Sequence, residues 1–428
     1  MIILFAAFLL HLPLSSASHQ PTPFLDCLFT TTSATCVTGL VVLDTGTHWS
    51  VFGKIIILLC IQLGGVGFMG FATFFSLLIG KKISLKSRFT LQNSYNLSHP
   101  GGIIRITKHI LLFTLIVELL GALFSMMVFV PQFGLKTGIA ISVFHSISAF
   151  CNAGFDLFGH FSSLTSYIDN PPLQIITMLL IIIGGLGFFV MEDLFVCRKQ
   201  LRALSFHTKL VLSTTLVLIL FGALTIFVFE YHNPATLSPL SMGDKIVGAF
   251  FHSVSPRTAG FNTFNLAEMT NGSSLIMILL MFVGGSPGST AGGIKTTTLA
   301  VLFVTVYCWL RGKNNIELFH KQIGSAALKK AVAILIFTSL LIITAILILS
   351  FTESSSLGNI AFEVFSAFGT VGLSKNFTPS LTFVGKIVIM LSMLIGRLGP
   401  LTVALALSKE ARTPQGHYTY PEGEILLG

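Results

Sequence analysis

The sequence predicts an all-α membrane protein made of four span–pore loop–span repeats, set with pseudo-fourfold symmetry around one axis. Two repeating motifs and the composition predict it. The first motif runs from a phenylalanine through small and hydroxyl residues to a glycine and a bulky apolar residue. It occurs four times: Phe29–Leu40 (FTTTSATCVTGL), Phe144–Phe155 (FHSISAFCNAGF), Phe251–Phe261 (FHSVSPRTAGF, one residue shorter) and Phe362–Leu373 (FEVFSAFGTVGL). Its glycines, Gly39, Gly154, Gly260 and Gly372, lie 115, 106 and 112 residues apart, a long internal repeat. A glycine-rich element follows in phase: Gly64–Gly67, Gly184–Gly187, Gly284–Gly288 and Gly396–Gly399 begin 25, 30, 24 and 24 residues after the motif glycines. One such element alone reads as close helix packing in a membrane; four in phase mark a repeated unit.

The composition supplies the membrane. The 428 residues are 53% hydrophobic and 10% charged, with a mean hydropathy of +0.87, whereas soluble domains carry roughly a quarter charged residues. A soluble enzyme with an anchor is excluded. The net charge of +9 does not point to nucleic acid, because 17 of the 25 Lys and Arg gather in 81–108, 198–209, 311–330 and the tail after Ser408. With two spans between successive basic loops these fall on one side, the cytoplasmic side by the positive-inside rule. The opposite loops hold Asp26, Asp44, Asp156, Asp169, Glu230, Asp244, Glu268 and Glu353, which either are solvated loop charges or concentrate cations at an entrance. Six scattered cysteines without a CxxC pair indicate neither a metal site nor a disulfide framework.

Taken in order, residues 2–14 are apolar but reach only about 20 Å, short of the ~30 Å hydrocarbon core. They lack the basic start of a signal peptide and are read as a short first span, or one that begins upstream. Phe24–Thr35 is too short and too rich in Thr to span, and Val51–Ile79 is long enough. Repeat two gives Ile103–Val130, Gly138–Phe150 with its loop, and Leu173–Val196. Repeat three gives Leu210–Phe229, Lys245–Ser255 with its loop, and Leu275–Leu310. Repeat four gives Ala331–Phe351, Ile360–Phe368 with its loop, and Phe383–Leu407. The repeats thus occupy 1–80, 103–198, 208–312 and 327–408, with a cytoplasmic tail at 409–428, for eight spans and four half-spans.

The half-spans carry the functional argument. Non-helical backbone at membrane depth must be buried in protein or line a water-filled cavity. Four re-entrant loops arranged about one axis form a central ion pore. Glycine permits positive φ, so that carbonyls can turn inward, and Val37-Thr38, Asn152-Ala153, Thr258-Ala259 and Thr370-Val371 are small enough for close approach. A ring of carbonyls replaces the hydration shell of a potassium ion. The half-helices end at these loops, so their negative dipole ends point at the ion.

These loops and glycine-rich elements resemble the Trk/Ktr/HKT superfamily of potassium transporters, and within it the KtrB-type membrane subunit of bacterial uptake systems. The resemblance covers essentially the whole chain, including the closing Tyr420–Gly428. It implies a pseudo-fourfold pore in one chain, whose selectivity filter would be built by Thr35, Cys36, Val37, Thr38 and Gly39; by Cys151, Asn152, Ala153 and Gly154; by Arg257, Thr258, Ala259 and Gly260; and by Gly369, Thr370, Val371 and Gly372. Members with serine at the first filter glycine tend to pass sodium, so Gly39 favours potassium. Cys36 and Cys151 stand where many relatives have other small or polar residues, which leaves selectivity alone if backbone does the coordination.

Repeat three departs in its second span. Gly284, Gly285, Ser286, Pro287, Gly288, Ser289, Thr290, Ala291, Gly292, Gly293, Ile294 and Lys295 cannot continue a helix through a proline and five glycines. In the resembled family this is an intramembrane gating loop below the filter. Arg397 replaces the second glycine of its tetrad, and a buried arginine in a span is expensive. The resemblance places it near that loop as part of the gate, donating to loop carbonyls or hydroxyls and putting a positive barrier in the cation path. The alternative is an arginine that reaches the inner interface, and Lys295 can do either.

Two rival readings have residues behind them. Gly284–Gly288 satisfies G-x-S-x-G, the nucleophile elbow, but His145 and His252 start half-spans on the outer side, and the repeated tetrad explains the match more simply. An ion-coupled (Na+ or H+) symporter working by alternating access also uses repeats and broken helices; its carboxylates would be Glu118 or Glu192-Asp193. Glu118 is read instead as satisfying backbone or a neighbouring helix. The chain has no nucleotide-binding motif, and no organic cofactor is expected. The resemblance implies a homodimer, a KtrA-like cytoplasmic ring docked on loops 81–108, 198–209 and 311–330, and sodium as an activator, with no sodium site placed by the sequence.

Overall fold

In each quarter of the computed structural model, which describes residues 1–67, 103–197, 201–313 and 315–399, a first helix leads to a short central helix, a loop and a second helix. Quarter one comprises α1 (Ile2–His11), α2 (Phe24–Cys36) and α3 (Val51–Val66). Quarter two comprises α4 (Ile103–Phe133), α5 (Leu135–Phe150), α6 (Pro171–Leu186) and α7 (Phe188–Val196). Quarter three comprises α8 (Phe206–Glu230), α9 (Met242–Val254), α10 (Asn271–Phe282) and α11 (Thr296–Leu310). Quarter four comprises α12 (Ser325–Thr352), α13 (Leu357–Gly369) and α14 (Phe383–Leu398). The first helices α4, α8 and α12 hold 31, 25 and 28 residues. At ~1.5 Å per residue each exceeds the ~30 Å core, and they present Leu, Ile and Phe outward, such as Leu119, Leu220 and Leu340. The central helices α2, α9 and α13 hold 13 residues and α5 holds 16, so they end inside the membrane.

Local signals start the second helices in register. Ser50, Asn170, Thr270 and Thr382 each accept from an amide of the first turn, and each stands fourteen residues before the first glycine of its tetrad. Such caps satisfy amides that a helix start leaves unpaired. Where two of these helices start, Glu230 accepts from the amide and hydroxyl of Thr270 (3.0 and 2.7 Å), and Glu353 does the same for Thr382. Lys386 on α14 closes the circuit with an ion pair to Asp26 on α2, 2.6 Å apart.

The tetrads end the second helices, and this corrects the expected spans. Leu173–Val196 is not continuous: α6 and α7 meet at 96°. The hinge is Gly187, at φ 94° and ψ 141°. Gly67 and Gly399 take the same backbone at the ends of α3 and α14, a region of φ that side chains disfavour. Among the described residues three helices are long and apolar enough to span, or four with the bent pair, against the eight spans expected. The continuations 68–79 and 400–407, like most of loop 81–108 and the tail 409–428, lie outside the described residues. The helical chain also carries a two-residue β-hairpin, Glu317–Leu318 with Lys321–Gln322, turned through Phe319 and His320 at positive φ.

The glycines that open the tetrads also explain how the quarters close. Gly64, Gly184 and Gly396 lie against the main-chain carbonyls of Thr35, Phe150 and Phe368, the last turns of their own central helices. In quarter three Gly284 abuts Gly292 instead, because the chain turns back there.

Candidate functional site

Each central helix ends by folding its amides backward. Thr38 and Val37 donate to the carbonyls of Ser33 and Ala34 (2.8 and 3.1 Å). Ala153 and Asn152 donate to Ser148 and Ala149, and Val371 and Thr370 to Ser366 and Ala367, at the same distances. This is a Schellman termination, which favours glycine at the left-handed position. Here that position is Val37 (φ 58°), Asn152 (59°) and Thr370 (51°), with Thr258 (81°) at the same place in quarter three. Backbone held there by β-branched residues costs about 1–3 kcal/mol each and collects at functional sites.

With the amides turned back, the carbonyls are left over. Among the described residues no carbonyl of Val37–Gly39, Asn152–Gly154, Thr258–Gly260 or Thr370–Gly372 accepts a hydrogen bond from the protein. Yet all these residues but half-buried Gly372 are buried, and buried carbonyls are normally paired.

The four loops meet in a closed circuit. A Cβ on Gly39 would lie 2.5 Å from the Ala153 carbonyl oxygen and 3.0 Å from the Cα of Gly154. One on Gly154 would lie 2.9 Å from Ala259 O and 3.2 Å from the Cα of Gly260. Gly260 abuts Val371 O and the Cα of Gly372, and Gly372 abuts Thr38 O and the Cα of Gly39. Gly39, Gly154, Gly260 and Gly372 together floor a cavity of about 500 Å³, whose wall includes Asp44, Asp156, Asn262 and Ser374.

A serine missed in the sequence braces each loop. Ser33 and Ser366 accept from the amides of Gly39 and Gly372 at 3.1 Å. Ser148 donates to Phe155 O at 2.7 Å, and Ser255 to Phe261 O. Its signal was the recurrence of Ser at one place in all four copies. Arg257 belongs to its loop by backbone, but its buried side chain turns away from the circuit to Thr215 on α8, with Nη2 to Oγ1 3.4 Å.

Below the circuit runs segment 283–295, tied directly to quarters two and four and, through Arg397, to quarter one. Its ends pair through Gly284 N to Ile294 O (2.9 Å) and Thr296 N to Gly285 O (3.1 Å). Ser286 N donates to Gly185 O and Thr290 N to Gly184 O, while Phe188 N donates back to Gly288 O (3.0, 3.3 and 3.0 Å). Gly292 packs on the Thr370 side chain. Arg397 reaches in from α14, donating to Thr290 O and to Gly64 O and, at 3.4 Å, to Gly65 O. The alternative in which Arg397 extends to the inner interface is not what the side chain does. Lys295 also turns inward, donating to Ala291 O at 2.7 Å and Gly292 O at 3.5 Å. Pro287, Ser289 and Gly293 lie in the same segment; Ser289 donates to Ser286 O.

The residues of the rival readings are placed as well. Ser286 Oγ bonds Thr296 Oγ1 at 2.9 Å, and His145 and His252 bond Thr177 and Thr263; no nucleophile–base pair results. Glu192 lies 3.9 Å from His109, and Asp193 accepts from the Ser205 amide. Glu118 accepts from Gln62 of the neighbouring helix α3.

The profile of the family described as "TrkH: Cation transport protein" matches residues 4–419. The chain belongs to the TrkH family. Among the relatives of this TrkH-family chain, the Ktr system potassium uptake protein B of Bacillus subtilis (strain 168) is 42% identical over 426 residues, covering 100% of this chain and 94% of the relative. The potassium/sodium uptake protein NtpJ of Enterococcus hirae is 41% identical, covering 100% and 95%. The crystal structure of the potassium transporter TrkH from Vibrio parahaemolyticus shares the fold, with a TM-score of 0.72 over 91% of this chain and 79% of that one, at 17% identity. Membership makes the chain an integral membrane transport protein rather than an enzyme.

Proposed function

We propose that the chain is the potassium-translocating membrane subunit of a Ktr/Trk-type uptake system, with the four-loop circuit as its selectivity filter and segment 284–295 with Arg397 as an intramembrane gate. The observation that carries this reading is the circuit itself: four loops in contact, each with its amides turned back and its buried carbonyls unpaired within the protein. Carbonyls in that state can take the place of a potassium ion's water, and the C-terminal ends of four central helices lend them negative potential. Asp44 in the cavity over the circuit concentrates cations at its mouth. Entry then needs no coupled ion, since about 100 mV supplies ~2.3 kcal/mol per charge.

Segment 284–295 supports the gating half. It crosses beneath the circuit, and Arg397 and Lys295 bring two cationic groups to its carbonyls. Opening requires those bonds to part and the positive charge to withdraw. The basic loops 81–108, 198–209 and 311–330 are the proposed docking surface for a KtrA-like nucleotide-binding ring on a homodimer. The name of the Enterococcus relative includes sodium; for this chain we assign potassium as cargo and sodium to activation.

The test is cation flux through the purified chain in liposomes. Fast potassium and rubidium flux with little sodium is expected. Slow, saturating flux that requires a second ion would replace the pore by an ion-coupled symporter.

A further inference from the structure

We propose that Glu118, acting with Gln62, positions the quarter-two loop and thereby sets how well the circuit discriminates potassium from sodium; the inference rests on the filter reading. Three elements meet at this carboxyl. Glu118 lies on α4 and is only 6% exposed. Its Oε2 accepts from Gln62 Nε2 on α3 at 3.0 Å. The thiol of Cys151, the residue before left-handed Asn152, lies 3.5 Å from Gln62 Oε1 and 3.8 Å from Glu118 Oε1. The main-chain carbonyl of Glu118 accepts from Ser146 Oγ on α5 at 2.6 Å. Gly65 lies flat on the same thiol, where a Cβ would come 2.8 Å from Cys151 Cβ. One residue therefore grips both the loop and the central helix that delivers it.

The pseudosymmetry separates this clamp from ordinary packing. In quarter three Ser253 Oγ donates to Ile219 O at 2.7 Å, the counterpart of the bond from Ser146 to Glu118. So isoleucine stands where Glu118 stands, and the main-chain tie survives without a carboxyl. Gln62 likewise has Ile182 as its counterpart, two residues before the next tetrad. A carboxyl at membrane depth is costly, and here its side chain does one thing that an isoleucine cannot: it fixes Gln62 and the Cys151 thiol. The loop so held contributes Asn152, Ala153 and Gly154, and Gly154 touches the loops on either side.

The experiment measures the potassium-to-sodium permeability ratio of the full chain in liposomes. Glu118→Leu keeps the bulk and the main-chain bond but leaves Gln62 Nε2 without its acceptor and the thiol with Gln62 alone; the ratio should fall about tenfold. Glu118→Gln keeps an acceptor for Gln62 Nε2 in its amide oxygen, while its NH2 can donate to the Cys151 sulfur, and should recover most of it, which a demand for charge or mere filling would not give. Gln62→Leu should match Glu118→Leu, and the double variant should be no worse than either, since both cut one clamp. Should Glu118→Leu fail to reach the membrane, Cys151→Ala cuts the same tie from the loop side and carries the same expectation. Wild-type discrimination in Glu118→Leu or Cys151→Ala, or additive losses in the double variant, overturns the inference. A wild-type chain that does not discriminate at all would instead sink the filter reading.

Discussion

Replacing Gly39 by alanine or serine tests the filter through geometry alone. Gly39 holds φ 93°, and its Cβ would stand 2.5 Å from Ala153 O. Ordinary contact begins at 3.4 Å, so the quarter-two loop must retreat by roughly 0.9 Å or Gly39 must leave its φ. Keeping a side chain in that region costs about 1–3 kcal/mol. If the chain sheds that energy by widening the circuit, and a tenfold change corresponds to ~1.4 kcal/mol, discrimination should drop roughly 10- to 100-fold. The assay is potassium and sodium flux side by side in liposomes. Alanine should act like serine, because the backbone and not a hydroxyl is displaced. Gly134→Ala is the control: it also has positive φ (77°) but open space around it, between α4 and α5, so it should cost stability and leave the ratio alone. Wild-type discrimination in folded Gly39→Ala would refute the assignment.

Four further outcomes follow from the same geometry. Arg397→Ala removes donors to three carbonyls across two quarters and should raise resting potassium flux about tenfold or more; lower flux from a folded protein would make Arg397 a purely structural tie. Shortening Ser286–Gly292 should likewise raise flux, and a fall with the fold intact would mean the segment is no barrier. Lys386→Met leaves Asp26, 15% exposed, without its partner and should cost on the order of 3 kcal/mol, read as earlier thermal unfolding in detergent; Asp26→Asn with Lys386→Met should cost less than either alone. Burial, with nearby Asp44 adding to it, pushes the Asp156 carboxyl in the cavity wall from 3.8 up to about 7, against the pull of the Phe158 amide. The folded chain then keeps a proton that the unfolded chain gives up, so this contribution to stability is complete below about pH 4 and is lost as the pH rises through about 7. Asp156→Asn cannot ionise, and its melting temperature should gain on wild type between pH 4 and pH 8; parallel curves would contradict the shift.

The fourfold plan was legible because the motif glycines and the tetrads repeat in phase, and phase survives without any knowledge of contacts. The caps Ser50, Asn170, Thr270 and Thr382 were equally in phase and equally readable. The breaks at Gly67, Gly187 and Gly399 were not: a lone glycine in an apolar helix is tolerated, and only the placement of the tetrads against the central-helix ends turns packing into termination. The left-handed Val37 and Thr370 were hidden because local preference argues against them; the closed circuit overrides it. Arg257 shows the limit of reading a loop by position, since its backbone belongs to the circuit while its side chain serves α8. Glu118 and Gln62 meet across 56 residues, a pairing that only the packing of α3 and α4 on α5 creates.

If the four loops hold a potassium-like ion with their backbone, a heavier ion of the same kind should be seen there. Anomalous diffraction from crystals of the chain grown in rubidium addresses it most directly. A rubidium peak is expected inside the circuit, ringed by carbonyls of Val37–Gly39, Asn152–Gly154, Thr258–Gly260 and Thr370–Gly372. Rubidium bound instead at a carboxylate such as Glu118, with none in the circuit, would contradict it.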